Sequence, residues 1–329
     1  MKVLVTGASG FLGNNLVKAL AAEGHDVIAV VRDGRKSGIF SDSPGVTVFA
    51  AGLGDIPALT VAATGCDAIV HTAADTRMWP SRSVEQHTVN VEYTRNMIEV
   101  ARRVSAGKFI HVSTVNTLRP GSRKEQPGTE EFVETSAVHP LGYVSTKRLA
   151  QALVLEAARD GLPAVVVNPS FMLGPRDYKP SSGALLLALH RGKVPGYTAG
   201  GRNFVHVRDV AAGIMAAIAK GRPGECYILG HRNLLYREFF EIATEVLGKK
   251  RIRLFLPGWL AVGYGWANVA WSAVSGKTPS LSHHMARAAG EVQFYSPEKA
   301  VRELGLPQTP VETAVRETLE WFGRQGMLT

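Results

Sequence analysis

Short apolar runs and one helical repeat alternate in the first thirty residues. Residues 2–6 and 27–31 are apolar runs of strand length, and between them Leu16 and Leu20 recur at the spacing of one helix face. Gly24 lies where this helix is predicted to end. The pattern therefore predicts a strand, a helix and a second strand, which form one unit of a parallel sheet.

The same alternation continues along most of the chain. Strand and helix signals follow one another to about Asn168, and a strand "CYILG" near Cys226 is expected to return to the same sheet. We predict an α/β fold, a Rossmann-type doubly wound parallel sheet with a smaller C-terminal substrate domain. Residues 1–169 and 204–230 are assigned to the cofactor-binding domain, and residues 170–203 and 231–329 to the substrate domain.

Composition and charge narrow the class of protein. The 329 residues include 37 basic and 28 acidic side chains, which give a net charge of +9. No long Lys/Arg run and no aromatic-basic repeat is present, so no nucleic-acid partner is predicted, whereas an anionic cofactor or an anionic membrane surface would suit the excess. Cys66 and Cys226 are far apart and form no metal-spacing motif. With strand-like residues beginning at Lys2, we expect no signal peptide and a cytoplasmic location.

Three glycines lie between the first strand and the first helix. Gly7, Gly10 and Gly13 have the spacing G-x-x-G-x-x-G. In a dinucleotide site the first glycine permits a tight turn, the second lets the backbone approach a pyrophosphate, and the third lets helix and strand pack closely. The N-terminus of the helix then faces the phosphates. The predicted cofactor contacts in this turn are Gly7, Ser9, Gly10, Phe11, Leu12 and Gly13.

The end of the second strand indicates which dinucleotide is bound. NAD sites usually have Asp or Glu there to hold the ribose hydroxyls, but this chain has Val31 followed by Arg32, with Arg35 and Lys36 close behind. A guanidinium can hold a 2′-phosphate through two hydrogen bonds. We predict NADP rather than NAD; the alternative is a solvated Arg32 beside Asp33.

The stretch "LGYVSTKRLA", residues 141–150, contains a tyrosine and a lysine one helical turn apart. Tyr143 and Lys147 would share one face of a helix. Tyr143 could then give a proton to a substrate while the Lys147 ammonium lowers the pKa of the tyrosine. The alternative is two amphipathic side chains on the surface.

Together with the glycine turn, this pair makes the chain similar to the extended short-chain dehydrogenase/reductases of the NAD-dependent epimerase/dehydratase superfamily. The motifs that resemble the family are "HTAAD" at 71–75, "NVEYTRNMIEVAR" from Asn90, "FIHVST" at 109–114, "VVNPSFMLGPRD" and "NFVHVRDVAAGIMAAI". "VVRD" and "NPS…LGPRD" resemble dihydroflavonol reductases and the related steroid dehydrogenase-like reductases most closely.

The resemblance implies roles for particular residues. Tyr143 and Lys147 would be catalytic, and the family's catalytic serine falls on Thr114 or Ser113. The further cofactor contacts implied are Ala73, Ala74, Lys147, Pro169 and Ser170, and the candidate substrate contacts are Trp79, Phe171, Met172, Tyr178 and Arg202. Related proteins often dimerise through helices at 90–104 and 143–158, so a homodimer is a candidate assembly.

Two departures from the family pattern bear on the cofactor and on the substrate. Ala51-Gly52-Leu53 replaces the usual Gly-Asp-Leu, whose aspartate reaches the adenine in the family, so that contact is expected to be lost or made by another group. Phe171 stands where sugar-nucleotide epimerases have an asparagine. An aromatic ring cannot make the hydrogen bonds of that asparagine. We therefore predict an NADP-dependent oxidoreductase that reduces a carbonyl, or oxidises the alcohol, of a fairly apolar molecule. One alternative is a nucleotide-sugar epimerase or dehydratase with a recycled nicotinamide; another is a non-catalytic cofactor sensor, which an intact Tyr143/Lys147 pair disfavours.

The stretch 254–276 is apolar and has no charged side chain. It could be a wall of an apolar substrate pocket, a peripheral membrane contact or a membrane span. His71, His111 and His206 lie in apolar runs and are expected to be hydrogen-bonded core residues rather than catalysts. No metal site is predicted.

Overall fold

The computed structural model of the chain describes residues 1–33, 38–77, 83–131, 142–275 and 283–328, and it leaves the side chains of 270–275 and 283–285 undescribed. The strands are β1 Lys2–Thr6, β2 Asp26–Val31, β3 Val46–Ala50, β4 Ala68–His71, β5 Lys108–Val112, β6 Ala164–Pro169, β7 Phe171–Leu173, β8 Gly201–His206, β9 Cys226–Leu229, β10 Arg232–Leu235 and β11 Val292–Gln293.

The helices lie mostly between these strands. They are α1 Phe11–Ala22, α2 Ile56–Ala63, α3 Val84–His87, α4 Tyr93–Arg103, α5 Tyr143–Arg159, α6 Ala184–His190, α7 Val207–Lys220, α8 Tyr236–Val246, α9 Gly258–Ser275, α10 His283–Ala289, α11 Glu298–Leu304 and α12 Val311–Arg324. A π-helical turn at Thr88–Glu92 joins α3 to α4, and a 3₁₀ turn at Val115–Thr117 follows β5.

Seven parallel strands form the main sheet, in the order β3-β2-β1-β4-β5-β6-β9. Helices cover both faces, so the strands are buried on both sides and their sequences are nearly continuous apolar runs. One face packs against α1 and α7, with Leu16 and Ile214 fully buried, and the other against α4 and α5, with Met97 and Val154 fully buried. The predicted doubly wound parallel sheet is confirmed.

The first βαβ unit matches its sequence pattern closely. β1 covers the predicted residues, β2 begins one residue earlier than predicted, at Asp26, and α1 ends at Ala22. Gly24 follows the helix with a φ of +77°, a left-handed conformation that a glycine adopts without strain. The local signals of turn, helix and strand all favour the same structure here.

A second, smaller sheet is built around β8. β10 pairs antiparallel with it, and β7 and β11 pair parallel with it. Its apolar face packs against α8 and α12, where the rings of Phe204 and Phe239 stack with centroids 4.1 Å apart. The predicted boundaries of the two domains stay a prediction.

The apolar stretch 254–276 contains the whole of α9, and its placement differs from that of a pocket wall. The side chains of Trp259, Tyr264 and Trp266 are 73%, 60% and 57% exposed. The helix packs against α10, and Gly265, on the side away from these aromatic residues, is buried. In a pocket wall these side chains would face the interior of the protein. Here the large aromatic side chains of the helix face outward instead. Among the helices that the structure describes, none is long and apolar enough to cross a membrane.

Candidate active site

The glycine turn after β1 is closely packed. Gly7 has a φ of +67°, and a Cβ on it would lie 2.7 Å from the backbone of Ala73, which follows β4. A Cβ on Gly13 would lie 2.3 Å from the carbonyl oxygen of Gly7. Side chains at these two positions would therefore push α1 and the loop after β4 away from the turn. The contact also brings the predicted cofactor residue Ala73 to the glycine turn.

The N-terminus of α1 is suited to an anion. Gly10 caps this helix without a side-chain hydrogen bond, and no acidic residue lies in its first turn. The backbone N–H groups of Phe11 and Leu12 are among those that an α-helix leaves without an internal acceptor. Such groups bind phosphate, and the close-packed glycines let a ligand approach them. The described residues therefore fit the pyrophosphate of a dinucleotide.

Arg32 lies at the same edge of the sheet. Thr6 pairs with Val30 across β1 and β2, so the residues that follow the two strands are neighbours at their carboxyl ends. The side chain of Arg32 is exposed there. Its position suits a contact with the ribose end of a dinucleotide held by the glycine turn. Arg35 and Lys36 lie outside the described residues.

Tyr143 and Thr114 meet beyond the carboxyl end of β5. Tyr143 is the first residue of α5, after Gly142, which has a φ of +113°. Burial raises the pKa of Tyr143, and a side-chain hydrogen bond with Thr114 lowers it. The phenol is therefore a neutral proton donor with a second hydroxyl next to it.

Ser113 has a different partner. Its hydroxyl donates to the side-chain oxygen of Gln151, at 2.6 Å, and both residues are buried. Of the two hydroxyl residues that the sequence left open, the structure brings Thr114 to Tyr143 and holds Ser113 against α5.

Lys147 is buried beneath Tyr143 on the same helix. Only 2% of its surface is exposed, and its Nζ donates to the carbonyl oxygen of Val112 at 2.7 Å. Burial lowers the pKa of Lys147 to about 7. The sequence predicted that Lys147 lowers the pKa of Tyr143. In the structure the lowering contribution comes from Thr114, because the lysine is directed to the backbone of β5.

A buried polar network, which was not predicted from the sequence, lies behind these residues. The Oε1 atom of Gln151 accepts hydrogen bonds from Ser113, Thr117 and Asn168. The Asn168 amide also donates to the carbonyl oxygen of Thr114, at 3.0 Å. Two signals were present: Gln151 follows Lys147 by one helical turn, and Asn168 interrupts the apolar run of β6.

The three predicted core histidines are all buried, but their surroundings differ. His71 is hydrogen-bonded to Thr6 and Thr94, and burial lowers its pKa to about 3. His206 contacts the backbone N–H of Arg208 and the carboxylate of Glu317. His111, by contrast, has no hydrogen-bond partner among the described residues. Burial lowers its pKa as well, so its ring is neutral.

The predicted substrate residues lie in and around the second sheet. Phe171 packs edge-on against Phe204 with centroids 5.2 Å apart, and Met172 contacts the core of the main sheet. Tyr178 packs against Trp321 of α12. Arg202 donates to the backbone carbonyl oxygens of Gly201, Ala288 and Glu291. Trp79 lies outside the described residues. Their roles in substrate binding stay predictions.

The remaining predicted cofactor residues share one edge with the catalytic candidates. Ala74 follows Ala73 after β4, Pro169 ends β6, and Ser170 comes next, with a buried hydroxyl that has no partner among the described residues. Parallel strands present their carboxyl ends at the same edge, which is where open α/β sheets bind ligands. Across the residues that the structure describes, no cluster of side chains could hold a metal ion.

Known proteins share both this fold and these motifs. Residues 3–230 match the NAD dependent epimerase/dehydratase family. A Synechocystis protein provisionally named dihydroflavonol 4-reductase is 30% identical over 328 residues, with 98% of this chain and 94% of the relative covered. Sterol demethylase protein B of Methylococcus capsulatus is 30% identical over 333 residues, with both chains covered to 100%.

A solved structure agrees over the same length. The crystal structure of gox2253 covers 99% of each chain with a TM-score of 0.84 and 31% sequence identity. These comparisons confirm the predicted family and the predicted oxidoreductase class. The chain belongs to the NAD dependent epimerase/dehydratase family.

Proposed function

We propose that the protein is an NADP-dependent oxidoreductase that reduces a carbonyl group, or oxidises the corresponding alcohol, of a fairly apolar small molecule. The observation that carries the proposal is the placement of the Thr114 hydroxyl beside the phenol of Tyr143, with Lys147 buried on the same helix as the tyrosine. A carbonyl oxygen placed between the two hydroxyl groups would accept a hydrogen bond from each.

Tyr143 is the proposed donor of the proton in the reduction. Its pKa is raised by burial, so the phenol stays protonated at neutral pH and can give its proton to the alkoxide that forms during reduction. Thr114 stabilises the negative charge that develops on the same oxygen. The nicotinamide, when bound, supplies the hydride. In the reverse direction the same two side chains assist removal of the alcohol proton.

The glycine turn and Arg32 would hold the cofactor. Gly7, Ser9, Gly10, Phe11, Leu12 and Gly13 surround the pyrophosphate in this proposal, with Ala73, Ala74, Pro169 and Ser170 near the nicotinamide half. Lys147 would hold the nicotinamide ribose. Arg32 favours NADP because its exposed guanidinium can pair with the 2′-phosphate.

The names of several relatives support an apolar substrate. They include sterol demethylase protein B, a farnesyl dihydroquinoline-oxide ketoreductase of Stigmatella aurantiaca and a 3β-hydroxysteroid dehydrogenase/isomerase of Mycobacterium tuberculosis. Phe171 agrees with this class, since its ring offers apolar contact and no hydrogen bond for a sugar hydroxyl. Phe171, Met172, Tyr178, Arg202 and Trp79 are the proposed substrate contacts.

A nucleotide-sugar epimerase or dehydratase is the alternative function, because the family takes its name from such enzymes. Such an enzyme returns the hydride to the substrate and leaves the cofactor unchanged at the end of each cycle. A panel of aldehydes, ketones and sterols with NADPH, followed by nicotinamide absorbance, separates the two. We expect net NADPH consumption with apolar carbonyls and its loss in Tyr143→Phe; turnover of sugar nucleotides without net consumption would contradict the proposal.

We also propose that the protein forms a homodimer. The helices at 90–104 and 143–158 are the faces through which a homodimer would form. Sedimentation velocity would test this: a single monomeric species at micromolar concentration would contradict it.

A further inference from the structure

The outer surface of α9 is apolar although it faces away from the protein. After its first residue, Gly258, the exposed residues among the described side chains of the helix are Trp259, Leu260, Gly263, Tyr264, Trp266 and Ala267. At about 100° per residue, these six positions fall within one continuous arc of about 160°. The buried Gly265 lies on the opposite side. A helix that is apolar on both faces needs a partner on its outer face as well.

Cations flank this helix in the sequence, with no acidic residue among them. Residues 246–290, the α9 segment, contain six lysines and arginines and no aspartate or glutamate. The segment therefore contributes +6 of the net charge of +9. Lys250, Arg251 and Arg253 are exposed immediately before the helix, and within the described part of the chain no carboxylate forms a salt bridge with them.

The segment is fixed at its base to the end of α6 and to the loop before β8. The backbone N–H of Leu256 donates to the carbonyl oxygen of Tyr197, and the rings of Phe255 and Tyr197 lie 5.8 Å apart. Lys249 donates to the carbonyl oxygen of His190. Leu254 and Phe255 remain 56% and 49% exposed, next to the outer face of α9. Aromatic and aliphatic groups are thus presented together with cations on an anchored element.

We propose that the outer face of α9 docks on the surface of an anionic lipid bilayer. Tryptophan, tyrosine and leucine on such a helix enter the boundary between headgroups and acyl chains, while flanking lysine and arginine pair with anionic headgroups. A second copy of the chain suits this face poorly. A symmetric contact would place the same patch on both subunits, and two segments of charge +6 would repel each other.

Vesicle flotation tests the proposal without any need for turnover, so its outcome is independent of the proposed reaction. We expect the purified protein to float with vesicles of phosphatidylcholine mixed with phosphatidylglycerol, and not with phosphatidylcholine alone. Arg251→Gln with Arg253→Gln should weaken binding about tenfold or more, since each cation contributes near an anionic surface. The matched control, Arg159→Gln with Lys220→Gln, removes the same charge from the main-sheet unit and should bind like the wild type.

A second pair of variants tests the apolar contact between α9 and the bilayer. Trp259→Ser with Tyr264→Ser should abolish flotation, whereas Val61→Ser with Val301→Ser, which are exposed elsewhere, should leave it unchanged. Circular dichroism would verify that each variant is folded. In the wild type, vesicles of brominated lipid should quench tryptophan emission, because three of the five tryptophans lie in the α9 segment.

Three results would overturn the proposal. The first is a wild-type protein that does not float with anionic vesicles. The second is equal flotation of Trp259→Ser/Tyr264→Ser and the wild type. The third is a wild-type dimer, seen by sedimentation velocity, that Trp259→Ser/Tyr264→Ser converts to a monomer while vesicle binding is absent; this would show that a second copy covers the helix.

Discussion

The Thr114 hydroxyl lies beside the phenol of Tyr143, close enough to lower its pKa, although Thr114 follows β5 and Tyr143 begins α5 in a later part of the chain. The left-handed Gly142 precedes the tyrosine at the start of its helix. The pair lies at the carboxyl edge of the sheet, where Gly7 and Arg32 also lie. The proposed proton donor, the proposed charge-stabilising hydroxyl and the proposed cofactor contacts thus share one edge of the sheet.

The two neighbouring hydroxyl residues should differ in their effect on turnover. Thr114→Val should lower kcat about 10²-fold with an apolar carbonyl substrate, because it removes a donor to the developing oxyanion. Thr114→Ser keeps that donor and should retain most of the activity. Ser113→Ala loses only its hydrogen bond to Gln151 and should change kcat by a few-fold at most. Steady-state kinetics of the three variants would test this, and a larger loss in Ser113→Ala than in Thr114→Val would reverse the assignment.

Arg32 should determine the choice of cofactor. We expect NADPH to bind more tightly than NADH, and Arg32→Ala to reduce that preference about tenfold or more, the size of a charge-assisted phosphate contact. Calorimetric titration of both cofactors would measure it. Arg159→Ala is a suitable control because this arginine is exposed at the far end of α5. Equal affinities in the wild type would refute the prediction.

The buried amine of Lys147 should make stability depend on pH. Its pKa in the folded protein, about 7, lies below the ordinary lysine value, so the protonated amine is less stable in the folded protein than in the unfolded chain. This destabilisation is full below pH 7 and disappears as pH rises toward 10, because the folded protein then holds the neutral amine. Lys147→Met should therefore be more stable than the wild type at pH 6, and the advantage should shrink at pH 10. Urea unfolding at both pH values would test this; an equal difference at both would contradict it.

Gln151 should act through the position of Thr114. Gln151→Leu leaves the hydroxyls of Ser113 and Thr117 and the amide of Asn168 without their shared acceptor. A buried polar group left unpaired costs about 1–3 kcal/mol, so the variant should unfold at lower urea concentration. Because Asn168 also holds the backbone of Thr114, kcat should fall more than KM rises. Gln325→Leu, at an exposed position, should be neutral in both measurements, and an unchanged kcat in folded Gln151→Leu would exclude a positioning role.

The first βαβ unit could be predicted from sequence because its signals are local. The glycines at 7, 10 and 13 and the apolar strands on each side act over a few residues, and no distant contact opposes them. The identity of the hydroxyl at the site could not be predicted in this way. Ser113 and Thr114 are adjacent, and their roles depend on where α5 places Gln151 and Tyr143.

The outward orientation of α9 also could not be predicted from the sequence. Its residues are apolar on every side, so periodicity does not indicate which side is buried. The exposure of Trp259, Tyr264 and Trp266 shows the outer side, and that exposure depends on tertiary packing, which includes the contact between α9 and α10. The expected lowering of the Tyr143 pKa by Lys147 is not seen, for a similar reason. Helical spacing places the two on one face, but the direction of the amine depends on the carbonyl oxygen of Val112.

Transfer of deuterium from 4,4-dideuterated NADPH to the product tests the central claim most directly. Mass spectrometry of the alcohol formed from an apolar carbonyl substrate should show one deuterium per NADPH consumed, in the wild type and not in Tyr143→Phe. A recycling epimerase would consume no NADPH and form no deuterated alcohol. That result, with turnover of a sugar nucleotide by the same preparation, would contradict the proposed reduction.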